Sequence, residues 1–347
     1  MKNYLKNIGF AAFLLVLAAL LLLSLFWALS IGTVKLPAGD IYDAVLHQFT
    51  SGLPIEATGQ GPVHDIVWLL RLPALVGAGL ASCGVIMQAI VKNPLADPYI
   101  LGISSGASLG ATSAILLGVG AALGPNFVGI AAFIGAFVIS LAVLFISNLG
   151  GRSNSMKLLL AGMALSAVCG AFSSFIVYFA NNKEGMQTIA YWMMGSLAGA
   201  QWGELAVIAP IIIASILFFW TQSRVLNLML LGDESAITMG TDLHAYRQWY
   251  LLISSLIVGF AVYSAGMIGF VGLIVPHVIR MFTGPDHKRL LPVAALVGAI
   301  FLVVADGLCR VIIPHTELPI GILISMIGAP SFIYLMIKKT YGFGGSD

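Results

Sequence analysis

Apolar runs long enough to cross a lipid bilayer follow one another along almost the whole chain, and they constrain its fold more than any other feature. A membrane-spanning helix needs about 20 mostly apolar residues. Because lipid offers the backbone no hydrogen-bond partners, a run of this kind predicts a helix. Ten such runs lie at 10–32, 67–91, 99–121, 126–149, 158–180, 203–221, 249–266, 267–282, 290–311 and 318–337. We therefore expect an all-α polytopic membrane protein with about ten transmembrane helices.

The composition leaves no room for a large soluble domain. Of the 347 residues, 59% are hydrophobic and 9% are charged, whereas soluble domains carry roughly 25% charged residues. The mean hydropathy is +1.01. We therefore expect residues 1–347 to form a single transmembrane domain in contact with membrane lipid. The net charge of +2 is small, so a nucleic-acid partner is not expected.

The first run, 10–32, raises the question of a cleaved leader. A signal peptide has an apolar core of about 7–15 residues and a small-residue cleavage site. This run is longer, and further spans follow it. We interpret it as a retained first span.

The lysines and arginines orient the spans, because cytoplasmic loops are enriched in these residues. With the N-terminus inside, twelve of the sixteen fall on the inner side: Lys2, Lys6, Lys92, Arg152, Lys157, Arg224, Arg247, Arg280, Lys288, Arg289, Lys338 and Lys339. The other four, which fall outside, are Lys35, Arg71, Lys183 and Arg310. This bias predicts an even number of spans, with both termini in the cytoplasm of a bacterial plasma membrane.

Two segments between the spans mix polar and apolar residues. The outer segment 33–66 predicts a surface helix around Asp40–Gln48. The inner segment 222–248 is the longest cytoplasmic connection and has charged and apolar residues at helical spacing. It predicts one or two short amphipathic helices rather than a linker.

Glycines predict close helix contacts and one interrupted helix. Gly102, Gly106 and Gly110 recur every four residues, as do Gly195, Gly199 and Gly203. This spacing places small residues on one helix face, where another backbone can approach. Three further glycines, Gly266, Gly269 and Gly272, precede Pro276, which lacks a backbone donor. We expect a short, reoriented helix there, bordering a pathway or protein.

The sequence gives little indication of catalysis. The ATP-binding pattern G-x-x-x-x-G-K-[ST] is absent, so the chain is not expected to hydrolyse ATP by that route. The three cysteines, Cys83, Cys169 and Cys309, lie in separate apolar runs without metal-ligand spacing. His64 and His315 could bind a metal or haem on the outer face, but solvated histidines are the favoured interpretation. We expect no enzyme activity and no cofactor or metal in this chain.

One acidic residue lies well inside a predicted span. Asp306 stands four residues before Arg310 on the same helix, so the two side chains can pair. This could be a coupling-ion site, but we favour a structural pair. The rest of the pathway is then apolar and rich in small residues. Such a pathway suits a large solute whose transport is driven by a separate, energy-supplying protein.

Several long motifs resemble the FecCD family, the membrane subunits of importers for iron-siderophores, haem and vitamin B12. The longest is the run Gly84–Gly106, which contains Asn93-Pro94-Leu95-Ala96-Asp97-Pro98. The others are Tyr191–Gly199, Leu231–Gly240, Gly269–His277, Asp286–Pro292, Glu317–Gly321 and Gly328–Pro330. The resemblance covers roughly residues 30–337 and keeps the motifs in order.

This resemblance implies a type II permease fold within an ATP-binding cassette (ABC) importer of an iron complex, either a siderophore or haem. It implies a homodimer or a pair of related permeases, two cytoplasmic ABC ATPases that bind ATP and Mg, and an extracytoplasmic solute-binding protein. A cobalamin importer permease is the main alternative. An ion-coupled secondary transporter and a membrane-embedded enzyme are more distant ones.

The resemblance also implies roles for particular residues. Those expected to couple to the ATPase are Leu231, Gly232, Asp233, Glu234, Ala236 and Gly240. Those expected at an inner gate are Asn93, Leu95, Ser155 and Met156. Arg71 and Arg310 are expected to dock the binding protein, although the family's second arginine after Arg71 is replaced by Ala74, so Lys35 or Lys183 could contribute instead.

Each of these roles has a structural alternative. Asn93 precedes Pro94, which by itself ends a helix. Asp233 and Glu234 could simply form a solvated face. Tyr191, Met193 and Met194 could contact a flat ligand, although packing is the favoured interpretation.

Overall fold

The computed structural model describes residues 2–31, 71–149, 151–198, 202–313 and 316–338. In these ranges the chain forms thirteen α-helices and no β-strand. They are α1 (Lys2–Ser30), α2 (Arg71–Val91), α3 (Ile103–Leu117), α4 (Phe127–Asn148), α5 (Ser155–Ala180), α6 (Lys183–Met194), α7 (Trp202–Thr221), α8 (Ser223–Leu231), α9 (Asp233–Thr238), α10 (Leu243–Ala265), α11 (Val271–Thr283), α12 (His287–Cys309) and α13 (Ile320–Lys338). Two short 3-10 turns, Pro98–Leu101 and Ala121–Leu123, precede α3 and α4. The all-α prediction is confirmed.

Seven of the described helices, α1, α2, α4, α5, α7, α10 and α12, are long and apolar enough to cross a membrane. Shorter apolar helices take the place of the other three predicted spans: Ile103–Leu117, Val271–Thr283 and Ile320–Tyr334. The multi-pass membrane fold is confirmed, while the count of ten crossings stays a prediction. The surface helix expected around Asp40–Gln48 lies outside the described residues.

The centre of the bundle is formed by α2 and α12. In their most apolar stretches, 78% of the residues of α2 and 67% of those of α12 are buried, against 17% in α5. Gly77 on α2 and Gly298 on α12 face each other so closely that a Cβ on either would contact the other's carbonyl oxygen. Close backbone approach of this kind gives van der Waals contact that side chains would prevent.

The two predicted glycine rows have different outcomes. Gly106 and Gly110 pack against the backbone of α4 at Gly135 and Ala131, as their spacing predicts, but Gly102 precedes α3 with a φ of +83° and faces α5 instead. The second row is wrong, because Gly195 ends α6 with a φ of +70°. Gly203 belongs to the next helix, α7, so the row does not share one helix face.

The interrupted helix predicted around Pro276 is present, but its break lies earlier. Helix α10 ends at Ala265, and α11 begins only at Val271. Phe270 has a φ of +66°, a left-handed conformation that ends regular structure. Pro276 lies inside α11, so its missing N–H leaves the Gly272 carbonyl without the usual helical donor.

The amphipathic segment predicted within 222–248 forms two short helices, α8 and α9. Helix α6, in contrast, was not predicted, because its sequence has no long apolar run. It begins after Asn182, whose Oδ1 accepts a 3.0 Å hydrogen bond from the Gly185 N–H. This is the usual stabilisation of a helix start.

Candidate functional site

At one end of the bundle, three charged side chains from different parts of the chain meet. Asp233 opens α9, and its Oδ1 lies 3.2 Å from Lys92 Nζ. The same oxygen accepts a 2.8 Å hydrogen bond from Arg247 Nη2. Lys92 directly follows α2, and Arg247 lies near the start of α10. One carboxylate therefore joins residues 231–240, which we call the coupling segment, to two long helices.

Arg247 also reaches the loop that precedes α5. Its side chain is only 2% exposed, and its Nη1 donates a 3.2 Å hydrogen bond to the Ser153 carbonyl oxygen. Two residues further on, Ser155 Oγ donates a 2.7 Å hydrogen bond to the carbonyl oxygen of Ile90 at the end of α2. We call residues 92–95 the first gate loop, and residues 152–156, which include the first two residues of α5, the second gate loop. Asp233 links the two, through Lys92 on one side and Arg247 on the other.

Local geometry places the four predicted gate residues in these two loops. Lys92 has a φ of +56° and ends α2, and the Asn93 Oδ1 accepts a 2.9 Å hydrogen bond from the Leu95 N–H. Ser155 makes the link to Ile90 already described, and Met156 is 62% exposed. The structure therefore brings the two loops together. That they open and close a pathway stays a prediction.

The coupling segment owes its shape to a glycine. Gly232 separates α8 from α9 with a φ of +105°, a conformation that favours glycine. Asp233 and Glu234 form the first turn of α9, where acidic side chains face the positive end of the helix dipole. Ala236 is fully buried, and Gly240 lies beyond α9 with a φ of +81°. Three large apolar side chains of the segment are exposed, namely Leu231, Ile237 and Met239.

The preceding helix, α8, is fixed to the start of α12. Asn227 Nδ2 donates a 2.9 Å hydrogen bond to Asp286 Oδ1, and Asn227 Oδ1 accepts a 3.0 Å hydrogen bond from the His287 N–H. Partial burial raises the pKa of Asp286, but the hydrogen bonds from Asn227 and the Lys288 N–H outweigh burial and hold the pKa below its usual value. The coupling segment is therefore held before Gly232 by the contacts of α8 with α12, and after Gly232 by the ion pairs of Asp233.

Opposing effects act on the Asp233 carboxylate. Partial burial raises its pKa, but the hydrogen bond and charge of Arg247, together with Lys92, outweigh burial and lower the pKa below its usual value. The carboxylate is therefore ionised at neutral pH. A second pair, Arg152 with Asp242 at 3.0 Å, lies on the same face with both side chains well exposed.

At the opposite end of the bundle, Arg310 is paired within its own chain. Its Nη2 donates a 2.6 Å hydrogen bond to Asp306 Oδ2, and its Nε lies 4.0 Å from Glu317 Oε1. Asp306 is buried, so the predicted structural pair is present. Docking through Arg310 stays a prediction, as does docking through Arg71, which begins α2 but whose side chain lies outside the described residues. Lys35, His64 and His315 lie outside them too.

A cavity of about 940 Å³ lies between α3, α5 and α6. Its polar lining residues are Ser108, Thr112, Ser173, Ser174 and Asn181. Met193 borders it as well, while Tyr191 is exposed nearby on α6. Among the described residues, no group of three His, Cys, Asp or Glu side chains could hold a metal ion.

Three members of the charged network were not identified as functional residues from the sequence. Lys92 and Arg247 entered only as positive charges on the inner side, and Ser153 was not considered. Their signal was weak, because a lysine after one span and an arginine at the start of another are expected on any cytoplasmic face. Only the folded chain shows that both meet the carboxylate of Asp233.

Comparisons with known proteins agree with this arrangement. The sequence profile of the FecCD transport family matches residues 20–338. The hemin transport system permease protein HmuU of Yersinia pestis is 40% identical over 79% of this chain and 84% of its own length. The cobalamin import system permease protein BtuC of Halobacterium salinarum is 41% identical over 88% of this chain and 80% of its own. A solved ABC transporter described as metal-chelate type and inward-facing superposes with a TM-score of 0.79 at 30% identity, covering 95% of this chain and all of that one.

Proposed function

Because this chain belongs to the FecCD transport family and is a permease of an ABC importer, we propose that its cargo is an iron complex, either a siderophore or haem. One similar protein is named for hemin, and the similar solved transporter is described as metal-chelate type. A relative of nearly equal identity is named for cobalamin, so a cobalamin permease is the second candidate. All three cargoes are large and bind a metal in an organic frame.

The observation that carries the mechanism is the position of Asp233. It lies on the coupling segment and is ion-paired to the first gate loop through Lys92. Through Arg247 it is linked to the second gate loop at Ser153. A displacement of the coupling segment would therefore reach both loops without passing through the lipid-facing helices. An ATPase outside the membrane requires a link of this kind to move the gate loops.

We propose that a cytoplasmic ATPase binds the coupling segment on its cytoplasmic side. The exposed side chains of Leu231, Ile237 and Met239 give it an apolar surface to contact, and burial of apolar surface favours association. The ATPase supplies the ATP and Mg chemistry, and this chain supplies the pathway. The proposal includes cytoplasmic termini and ten crossings.

We further propose a pair of permeases, with a solute-binding protein at the opposite end. The exposed surface of α5 favours a contact with a second permease copy, because little of its apolar stretch is buried within this chain. Phe175, Tyr178 and Phe179 on α5 are all strongly exposed, and the 940 Å³ cavity lies beside this helix. Arg71 and Arg310 are the candidate contacts for the binding protein.

Reconstitution tests the proposal directly. The permease is placed in vesicles with its ATPase, and binding protein loaded with a ferric siderophore, haem or cobalamin is added outside. Uptake should require all three proteins and internal ATP, and it should be highest for an iron complex. Uptake by the purified permease alone, driven by an ion gradient and abolished by Asp306→Asn, would instead establish the ion-coupled alternative.

A further inference from the structure

A second cavity lies at the opposite end of the bundle from Asp233. It has a volume of about 310 Å³ and is bordered by the ends of α4, α7 and α10. That size is at the lower end of small-molecule sites, which occupy roughly 300–1,000 Å³. Its apolar lining consists of Leu123, Pro125, Ile130, Val207, Ile208 and Phe260.

Three polar side chains converge in this cavity. Asn126 Nδ2 donates a hydrogen bond to Glu204 Oε1, and the Tyr263 side chain lines the same cavity. Asn126 precedes α4 but does not use its side chain to cap that helix. Its Oδ1 is therefore available as an acceptor, alongside the second carboxylate oxygen of Glu204 and the Tyr263 oxygen.

The charge of Glu204 lacks a counterion in the described part of the chain. The ion pairs there involve Asp233, Asp242, Asp306 and Glu317, and none includes Glu204. A carboxylate partly enclosed by apolar side chains at a membrane boundary is costly unless a cation neutralises it. A primary ammonium group has three donors and one positive charge, which matches the three acceptor oxygens.

The surroundings of the cavity indicate lipid rather than an aqueous solute. Leu117, Val119 and Leu123, in and beside the turn that covers the cavity, are more than half exposed. Val207, on the cavity wall, is also 54% exposed. Apolar side chains exposed at the ends of spans lie against acyl chains or the headgroup boundary.

We propose that this cavity binds the headgroup of a membrane lipid that carries a primary ammonium group. The ammonium lies on Glu204, Asn126 and Tyr263, and the acyl chains follow the exposed surface of α7 past Val207. The site is separate from the coupling segment, and binding there requires neither ATPase nor cargo.

Native mass spectrometry of the permease in nanodiscs tests this proposal. The nanodiscs contain equal amounts of phosphatidylethanolamine and phosphatidylcholine, and a second set replaces the former by its N-methylated derivatives. The wild-type permease should retain phosphatidylethanolamine over phosphatidylcholine by about tenfold, the factor that corresponds to ~1.4 kcal/mol. Retention should fall with each methyl group, because each one removes a donor while the charge remains.

Matched variants locate the effect. Glu204→Gln removes the charge while keeping the shape, and Val207→Trp fills the cavity while keeping the carboxylate, so both should abolish the preference. Glu184→Gln removes an exposed carboxylate in the first turn of α6, outside the cavity lining, and should leave the preference unchanged. Equal retention of the two lipids by the wild-type protein, or an unchanged preference in both cavity variants, would overturn the proposal.

Discussion

Asp233 is the residue on which the proposed energy transfer depends. Its carboxylate is 37% exposed, whereas the Arg247 side chain that it neutralises is only 2% exposed. A buried guanidinium without its partner is costly because water cannot replace the lost contact. Lys92, at 32% exposure, can be solvated more easily. The link to Arg247 therefore matters more than the link to Lys92.

We predict that Asp233→Asn uncouples the importer. Asparagine keeps the side-chain shape but removes the negative charge that attracts Arg247 and Lys92. The loss should cost about 1.5–3 kcal/mol, the range for a hydrogen bond to a charged group. ATP hydrolysis by the assembled complex should continue while uptake per ATP falls, as measured by parallel phosphate-release and uptake assays in vesicles.

Asp242→Asn is the matched control on the same face. It removes the exposed pair with Arg152, and such pairs contribute about 0–1 kcal/mol. Asparagine also keeps the cap that Asp242 provides to the His244 N–H. Equal loss of uptake per ATP in the two variants would show that the buried link to Arg247 has no special role.

The lowered pKa of Asp233 gives a prediction for pH. A carboxyl group whose folded pKa lies below its ordinary value of 3.8 stabilises the fold fully above that ordinary value, and the stabilisation is lost as the pH falls through the folded pKa. The difference in melting temperature between wild type and Asp233→Asn should therefore be constant from about pH 8 to pH 5 and shrink below roughly pH 4. A difference that already disappears near neutral pH would contradict the ion-paired state of Asp233.

At the scale of helices, α2 and α11 pack backbone against backbone, without side chains between them. Pro276 leaves the Gly272 carbonyl without its helical donor, and Gly84 of α2 packs directly on that carbonyl. Gly272 is also close to the turn that follows α2, since a Cβ added to Gly272 would lie 2.7 Å from Pro98 Cδ. Glycine at both positions thus lets the short helix α11 rest on α2, whose end carries Lys92 and the first gate loop.

We predict that Gly84→Ala destabilises the permease. The new Cβ would overlap the Gly272 carbonyl, which is backbone and cannot rotate away, and overpacking of this kind costs typically about 1–3 kcal/mol. The melting temperature in detergent should fall. Gly9→Ala on α1 is the matched control, because nothing lies within 4 Å of an added Cβ there. This variant should be neutral or gain up to about 1 kcal/mol from helix propensity, and a comparable loss in both variants would refute the contact.

For the whole molecule, the two ends of the bundle differ in charge. Arg289 lies 5.6 Å from the Phe10 ring, which places the first half of α1 at the same end as the start of α12. Asn227 joins that end to α8, and the coupling segment follows directly. The charged network of the coupling segment therefore lies at the same end as Arg289, while Arg310 lies at the other end.

Cysteine labelling in oriented vesicles checks this topology. The described chain has three free cysteines, all buried, so the background should be low. In the permease without its ATPase, Met239→Cys should react with a membrane-impermeant maleimide only from the cytoplasmic side. Lys183→Cys, at the exposed start of α6, should react only from the outside. Labelling of both positions from one side would contradict the proposed orientation.

The sequence determined where the long apolar helices lie and that lipid surrounds them, because each apolar run must satisfy its own backbone in lipid. It also located α8 and α9, since their amphipathic spacing is local, and the pair of Asp306 with Arg310, which stand one helical turn apart. Tertiary structure alone decided that Lys92, Ser153, Asp233 and Arg247 form one network, because these residues meet only through the packing of distant helices. It also decided the break at Phe270 and the Asn126–Glu204–Tyr263 cavity, since neither leaves a periodic signal in the chain.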